Sequence, residues 1–246
     1  MTSVLALILA LSSSSAFAMP LSDEYLTLGK IVVTEVPVEK SSEPLSANAI
    51  AMGAEECRSL LLANNQEGVI DSLESLVNPL KETEVILDQL INIGKKVLKV
   101  VEAGKPQVKF TSQLATALPE GSKCWLQLQN WQVPEAKAYR IQYKNLYGLT
   151  VVDFTYRITY LYGGGVEGLG KYIGYAKIEK QNLDVKWGWS FEANATVPTV
   201  FNTGTRANPV AGMNLLLEWK VSTLMNENIQ TNEYFIGGNG LFKALQ

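Results

Sequence analysis

The chain has 246 residues, 47% of them hydrophobic and 18% charged, with a net charge of −3. That balance argues against a disordered chain and against a nucleic-acid partner, which would need a basic patch. There is no histidine, which excludes Ser-His-Asp and Cys-His catalytic devices, histidine-ligated zinc and histidine acid–base chemistry.

Residues 1–18 are uncharged, carry an apolar run over 4–11 and end in Ala16, Phe17 and Ala18, the small-x-small pattern of a signal-peptidase site. The run is too short to cross a bilayer. A cleaved signal peptide over 1–18 is therefore expected, followed by one domain over 19–246. The protein is expected to be secreted, or periplasmic if its source is bacterial. In that setting Cys57 and Cys124, the two cysteines, are expected to form a disulfide. Their spacing fits no zinc motif, and neither a metal nor another cofactor is expected.

Residues 24–37 centre on Ile31, Val32 and Val33 and read as a strand stopped by Pro37. Residues 40–46 read as a loop. A helical part over 47–104 is expected next. Residues 47–64 place Ile50, Ala54, Cys57 and Leu61 at helical spacing. Asn78 and Pro79 form a helix start signal, with Gly104 and Pro106 as a stop. Between them, steps of 100° gather Leu80, Ile86, Leu87, Leu90, Ile91, Val97 and Leu98 on one half of the circumference. Lys81, Glu84, Asp88, Lys95 and Lys99 fall on the other, and only Val85 is misplaced. This predicts a long amphipathic helix lying on a sheet. Its polar face mixes both signs, which argues against a membrane-surface role.

Residues 106–240 change to period two and form the expected sheet part. Strands are predicted over 108–118, 123–133, 138–147, 149–162, 171–180, 183–197, 211–225 and 229–236. The most regular is 183–197. There Leu183, Val185, Trp187, Trp189, Phe191, Ala193, Ala195 and Val197 alternate with Asp184, Lys186, Gly188, Ser190, Glu192, Asn194 and Thr196. Gly163, Gly164 and Gly165 read as a turn, and Gly174 and Gly188 as bulges. Long strands joined by short turns imply an antiparallel meander. The expected fold class is thus α+β: a curved antiparallel sheet packed on one long amphipathic helix.

Residues 165–172, GVEGLGKY, approach a phosphate loop. Tyr172 stands where that motif needs Ser or Thr, and a strand follows where it needs a helix, so a hairpin is the better reading. Asp153, Glu179, Asp184, Glu192 and Glu218 fall on polar strand faces and read as solvated, so no enzyme is expected. Asn194, Ala195 and Thr196 match the N-glycosylation acceptor pattern. Tyr156, Tyr160, Trp187, Trp189, Phe191 and Trp219 lie on apolar faces of neighbouring strands, together with Tyr139, Tyr143 and Phe154. Ordinary core packing is the plainer reading of these rings. Their buried N–H and O–H groups would still need partners, and a ligand between sheet and helix could supply them. Binding or carrying a hydrophobic or aromatic small molecule is the leading function on these grounds. The alternatives are a membrane-inserting β protein, either a pore former or an outer-membrane barrel, and an extracellular structural or interaction protein without ligand.

Overall fold

The computed structural model describes residues 22–38, 85–92, 96–103, 115–122 and 124–245, with the stretch 96–103 described by its backbone alone. A single helical turn, α1 (Asp23–Leu26), is capped by Ser22, whose hydroxyl accepts the Tyr25 N–H. Strands follow: β1 (Leu28–Val36), β2 (Ile86–Ile91), β3 (Lys96–Ala103), β4 (Ala115–Glu120), β5 (Glu135–Asn145), β6 (Thr150–Val166), β7 (Leu169–Val185), β8 (Ser190–Asn202), β9 (Ala211–Ser222), β10 (Glu227–Gly237) and β11 (Phe242–Leu245). They form two sheets, ordered β1-β5-β6-β7-β4-β2 and β11-β10-β9-β8-β3. The strands β5 to β7 and β8 to β11 are antiparallel meanders, as their alternation and short turns require.

Alternation fixes where the core lies. On β6, Val152, Phe154, Tyr156, Ile158 and Tyr160 are fully buried, while Asp153, Thr155 and Arg157 face away. On β9, Met213, Leu215, Leu217, Trp219 and Val221 are buried in the same manner. The two apolar faces meet, and their side chains interlock as a sandwich core. The β6–β7 hairpin is long and carries register shifts near Thr155 and Leu161. Such bulges bend the strands and curl the sheet. Gly174, expected as a bulge, is the residue skipped at one of them.

The expected long helix is absent. Residues 86–91 and 96–103 are β2 and β3, and no described helix exceeds a few residues. Two local facts favour strand. Val85, Ile86, Ile91, Ile93, Val97, Val100 and Val101 are β-branched, and Gly94 inside a helix would cost about 1 kcal/mol. The deciding term is tertiary: β3 pairs along β8, from Leu98 with Ala195 to Ala103 with Ser190, so its backbone polar groups complete a sheet edge. The fold is therefore almost all β rather than α+β. The helical reading over 47–64 falls outside the described residues.

The helix-borne setting expected for the disulfide of Cys57 and Cys124 is corrected with the helix. It pictured Cys57 on a helix stapled to the sheet through Cys124, but the sheet is covered by a second sheet. Cys124 is buried and is not a free thiol, whereas Cys57 lies outside the described residues, among which no complete disulfide occurs.

Three local expectations also change. The stretch 183–197 is two strands of different sheets, parted by a turn at Gly188, where φ is 85°. The alternation survives because β7 and β8 both face the same interlayer. Gly163, Gly164 and Gly165 belong to β6, and the hairpin turn is made by Glu167 and Gly168, both with positive φ. The glycine at 164 has another cause: a Cβ there would sit 2.4 Å from the Trp131 ring, which lies across the outer face of the hairpin. Residues 123–133, expected as a strand, hold a 3-10 turn at Trp125–Gln127 and a single bridge from Gln129 to Gly165. The turn rotates Trp125 inward and leaves Leu126 exposed.

Candidate functional site

Five of the six rings expected to line a pocket are core residues. Tyr156, Tyr160 and Phe191 are fully buried, and Trp189 and Trp219 nearly so. Phe154 links Phe191 and Tyr156, at ring separations of 4.7 and 5.3 Å. Tyr160 stacks on Phe242 of β11. Trp187 stands apart at 65% exposure, in the turn between the sheets.

Several polar handles of the buried rings find partners within the protein, while those of Trp125, Tyr175 and Trp189 do not. The Trp219 indole donates to the Tyr143 hydroxyl at 2.8 Å, which in turn donates to Asn228 Oδ1 at 2.9 Å. The hydroxyls of Tyr156 and Tyr234 meet at 2.5 Å, and the Asn232 amide donates to Tyr234. Tyr160 donates to Glu135. Only Trp189 Nε1, of the five, is buried without an acceptor. Burial pushes the Tyr143 hydroxyl up to about 12, although the indole N–H donated to it works the other way. Burial raises Tyr156 further, and its contact with Tyr234 adds to the shift. These phenols are neutral structural links.

Two concavities lie elsewhere. A groove of about 580 Å3 on the outer face of the first sheet is lined by Val36, Pro37, Val38, Ala138, Arg140, Thr155, Arg157, Gln181 and Asn182. There the Arg140 guanidinium holds the Asp153 carboxyl below its ordinary range through paired hydrogen bonds, joined by the Gln142 amide. Burial alone would raise Glu179, but hydrogen bonds from Lys177 and Arg157 outweigh it and hold that carboxyl low. A smaller slot of about 190 Å3 opens between the edges β1 and β11, beside Tyr139 and Tyr234.

The remaining feature is one end of the sandwich. Three successive turns project there: residues 146–149, 186–189 and 223–226. They carry Leu146, Tyr147, Leu149, Trp187, Leu224 and Met225, each more than half exposed, with Leu224 at 96%. All three turns are tied to the α1 segment. Leu146 N–H donates to the Thr27 carbonyl, the Tyr25 hydroxyl to the Trp187 carbonyl, and the Thr223 hydroxyl to the Leu26 carbonyl. The Tyr147 hydroxyl meets Ser22 and Glu24. The result is a cluster of apolar side chains on one braced platform. The charged residues next to these turns and to α1 in the chain include Asp23, Glu24, Asp184, Lys144 and Lys186. Asp184 and Lys186 are paired at 2.7 Å.

Reasoning from sequence missed this end because its residues were assigned to strand ends. The available signal was a large apolar residue beside a turn former: Tyr147 before Gly148, Trp187 before Gly188, and Met225 before Asn226. Asn194, the candidate glycosylation site, is exposed on the outer face of β8. No protein-family model, curated protein or solved structure matches this chain.

Proposed function

We propose that the protein is exported, is not an enzyme, and acts by seating the apolar end of its sandwich in the interface of a lipid bilayer. The exposed Leu224, Met225, Trp187, Tyr147, Leu146 and Leu149 on three turns braced by α1 carry this reading. A contiguous apolar cluster on a protein surface marks an interaction site. The geometry favours lipid over a protein groove. The cluster projects rather than recedes, with an aliphatic pair at one turn tip and Trp and Tyr on the neighbouring turns, the residue types that favour the headgroup level. The nearby acidic groups offset the lysines, so apolar insertion rather than attraction to anionic headgroups would supply the affinity.

The carrier reading has less support. Its second wall was to be the helix, and the polar groups of Trp219, Tyr156 and Tyr160 are taken by Tyr143, Tyr234 and Glu135. The barrel reading needs apolar faces turned to lipid, and here those faces meet in the interlayer.

The reading is tested by co-sedimentation with phosphatidylcholine vesicles. Burying a large apolar side chain is worth about 1.5–3 kcal/mol, so Leu224→Asp should abolish binding while leaving the fold intact. Binding should change little with added salt or with anionic lipid. Binding only to anionic vesicles, or unchanged binding by the variant, would contradict it.

A further inference from the structure

Strand β11 pairs with β10 only from Glu233 to Ile236, so at Asn232 the edge of the second sheet is open among the described residues. The slot of about 190 Å3 lies there, between that edge and β1. Its lining is partly aromatic, through Tyr139 of the first sheet and Tyr234 of the second, whose rings are 5.1 Å apart. Val33, Ala244 and Leu245 add apolar surface. Glu35 breaks the pattern of β1. Ile31, Val33 and Glu35 follow one another at period two, and Glu35 stands opposite Tyr139, so a carboxylate occupies the core-facing side of an edge strand. Burial raises the Tyr139 and Tyr234 hydroxyls above their ordinary range, and the Glu35 charge adds to both shifts. The carboxylate is therefore close to phenols of both sheets, at the slot they line.

The slot is rich in acceptors. Glu35 Oε1 takes a hydrogen bond from Lys137 at 3.3 Å, which leaves Oε2. Glu233 Oε1 takes one from the Asn214 amide, which again leaves Oε2. The Asn232 amide nitrogen is given to Tyr234, and its Oδ1 is left over. Tyr139 is only 7% exposed, yet its hydroxyl has no hydrogen-bond partner among the described residues and is not sealed from water. A hydroxyl so nearly enclosed is costly to leave unpaired. No Lys or Arg is among the described residues that line the slot. Spare acceptors and a carboxylate beside phenol rings suit a cation that carries N–H donors. The volume is below the roughly 300–1,000 Å3 of sites for drug-sized ligands, so the ligand must be small.

We infer that this slot binds a small primary ammonium ion, its N–H donors received by Glu35, Asn232 and the Tyr139 hydroxyl, and its short apolar portion by Val33, Ala244 and Leu245. The slot shares no residue with the loop end, so the inference stands apart from the membrane proposal.

Isothermal titration of the purified protein with n-propylammonium chloride tests it, with sodium chloride at matched ionic strength as the control. Saturable binding of n-propylammonium alone is expected. Tetramethylammonium carries the same charge without an N–H and should bind about ten-fold more weakly or worse. Glu35→Gln removes the charge from a side chain that is 56% exposed, where folding is not at risk, and should lower the affinity about ten-fold. Tyr139→Phe keeps the ring and removes the hydroxyl, for a loss of about three-fold. Lys137→Ala frees Glu35 Oε1 from its competitor and should instead tighten binding about two-fold. No saturable binding of n-propylammonium would overturn the inference and leave Glu35 as a charge that keeps the sheet edge from pairing. An affinity that Glu35→Gln leaves unchanged, or tetramethylammonium bound as tightly, would overturn it as well.

Discussion

The interlayer and the loop end are built from the same kinds of side chain and use them in opposite ways. In the interlayer, Trp219 is enclosed and its indole N–H is given to Tyr143, which is in turn bound to Asn228. At the loop end, Trp187 and Leu224 face solvent, and the hydrogen bonds of that region run through backbone carbonyls that brace the turns. Trp187 and Trp189 make the contrast within three residues, at 65% and 2% exposure. The difference teaches that an aromatic residue on a strand face is a core residue only while the strand lasts. One glycine with positive φ suffices to separate a structural indole from a presented one.

The comparison is broken most severely in the core. Trp219→Ala removes a ring and leaves the Tyr143 hydroxyl without its donor, and should cost about 3–5 kcal/mol in denaturant unfolding. Tyr156→Phe deletes one hydroxyl of the 2.5 Å pair, and Asn232 still serves Tyr234, so its cost should be about 1 kcal/mol. Acid should have a milder effect, from outside both regions. Asp153 and Glu179 are held below the ordinary carboxylate range in the folded state. Their stabilisation is therefore complete above the unfolded carboxylate value of about 4 and is lost as pH falls through that value towards the folded ones. Urea midpoints should drop between pH 6 and pH 3, and Asp153→Asn should flatten part of that drop. Trp187→Ala should be the quietest, changing stability by no more than about 0.5 kcal/mol. A large loss there would mean that the loop end is a part of the core.

Much of the architecture was legible as alternation. The inward faces of β5, β6 and β9 follow from period two, because one side of each strand is mostly apolar and the other mostly polar, whereas β10 turns Asn228 and Asn232 inward and leaves Ile229 exposed. The region of β2 and β3 was not legible in that way. Short apolar runs such as VILDQLI satisfy both a helical and a strand period, and the pairings that decide between them are tertiary: β2 with β4, and β3 with β8 almost a hundred residues away. The crossing of Trp131 over Gly164 is likewise a tertiary contact, and from sequence the glycine run reads as a turn instead. For the candidate site, the rings could be placed on apolar faces, but their mutual hydrogen bonds could not, since Tyr143 and Trp219 come from different sheets. The loop end was written beside its turn formers and was hidden by extending each strand too far.

The central claim, that presented and structural aromatics are separated at Gly188, is tested most directly by tryptophan fluorescence in vesicles of brominated phosphatidylcholine. Bromine quenches only rings that reach the bilayer. Part of the emission should be quenched on binding, and Trp187→Phe should remove that quenched part while leaving the emission of the other four tryptophans unquenched. No quenching in the wild type, or quenching that persists in Trp187→Phe, would contradict the account.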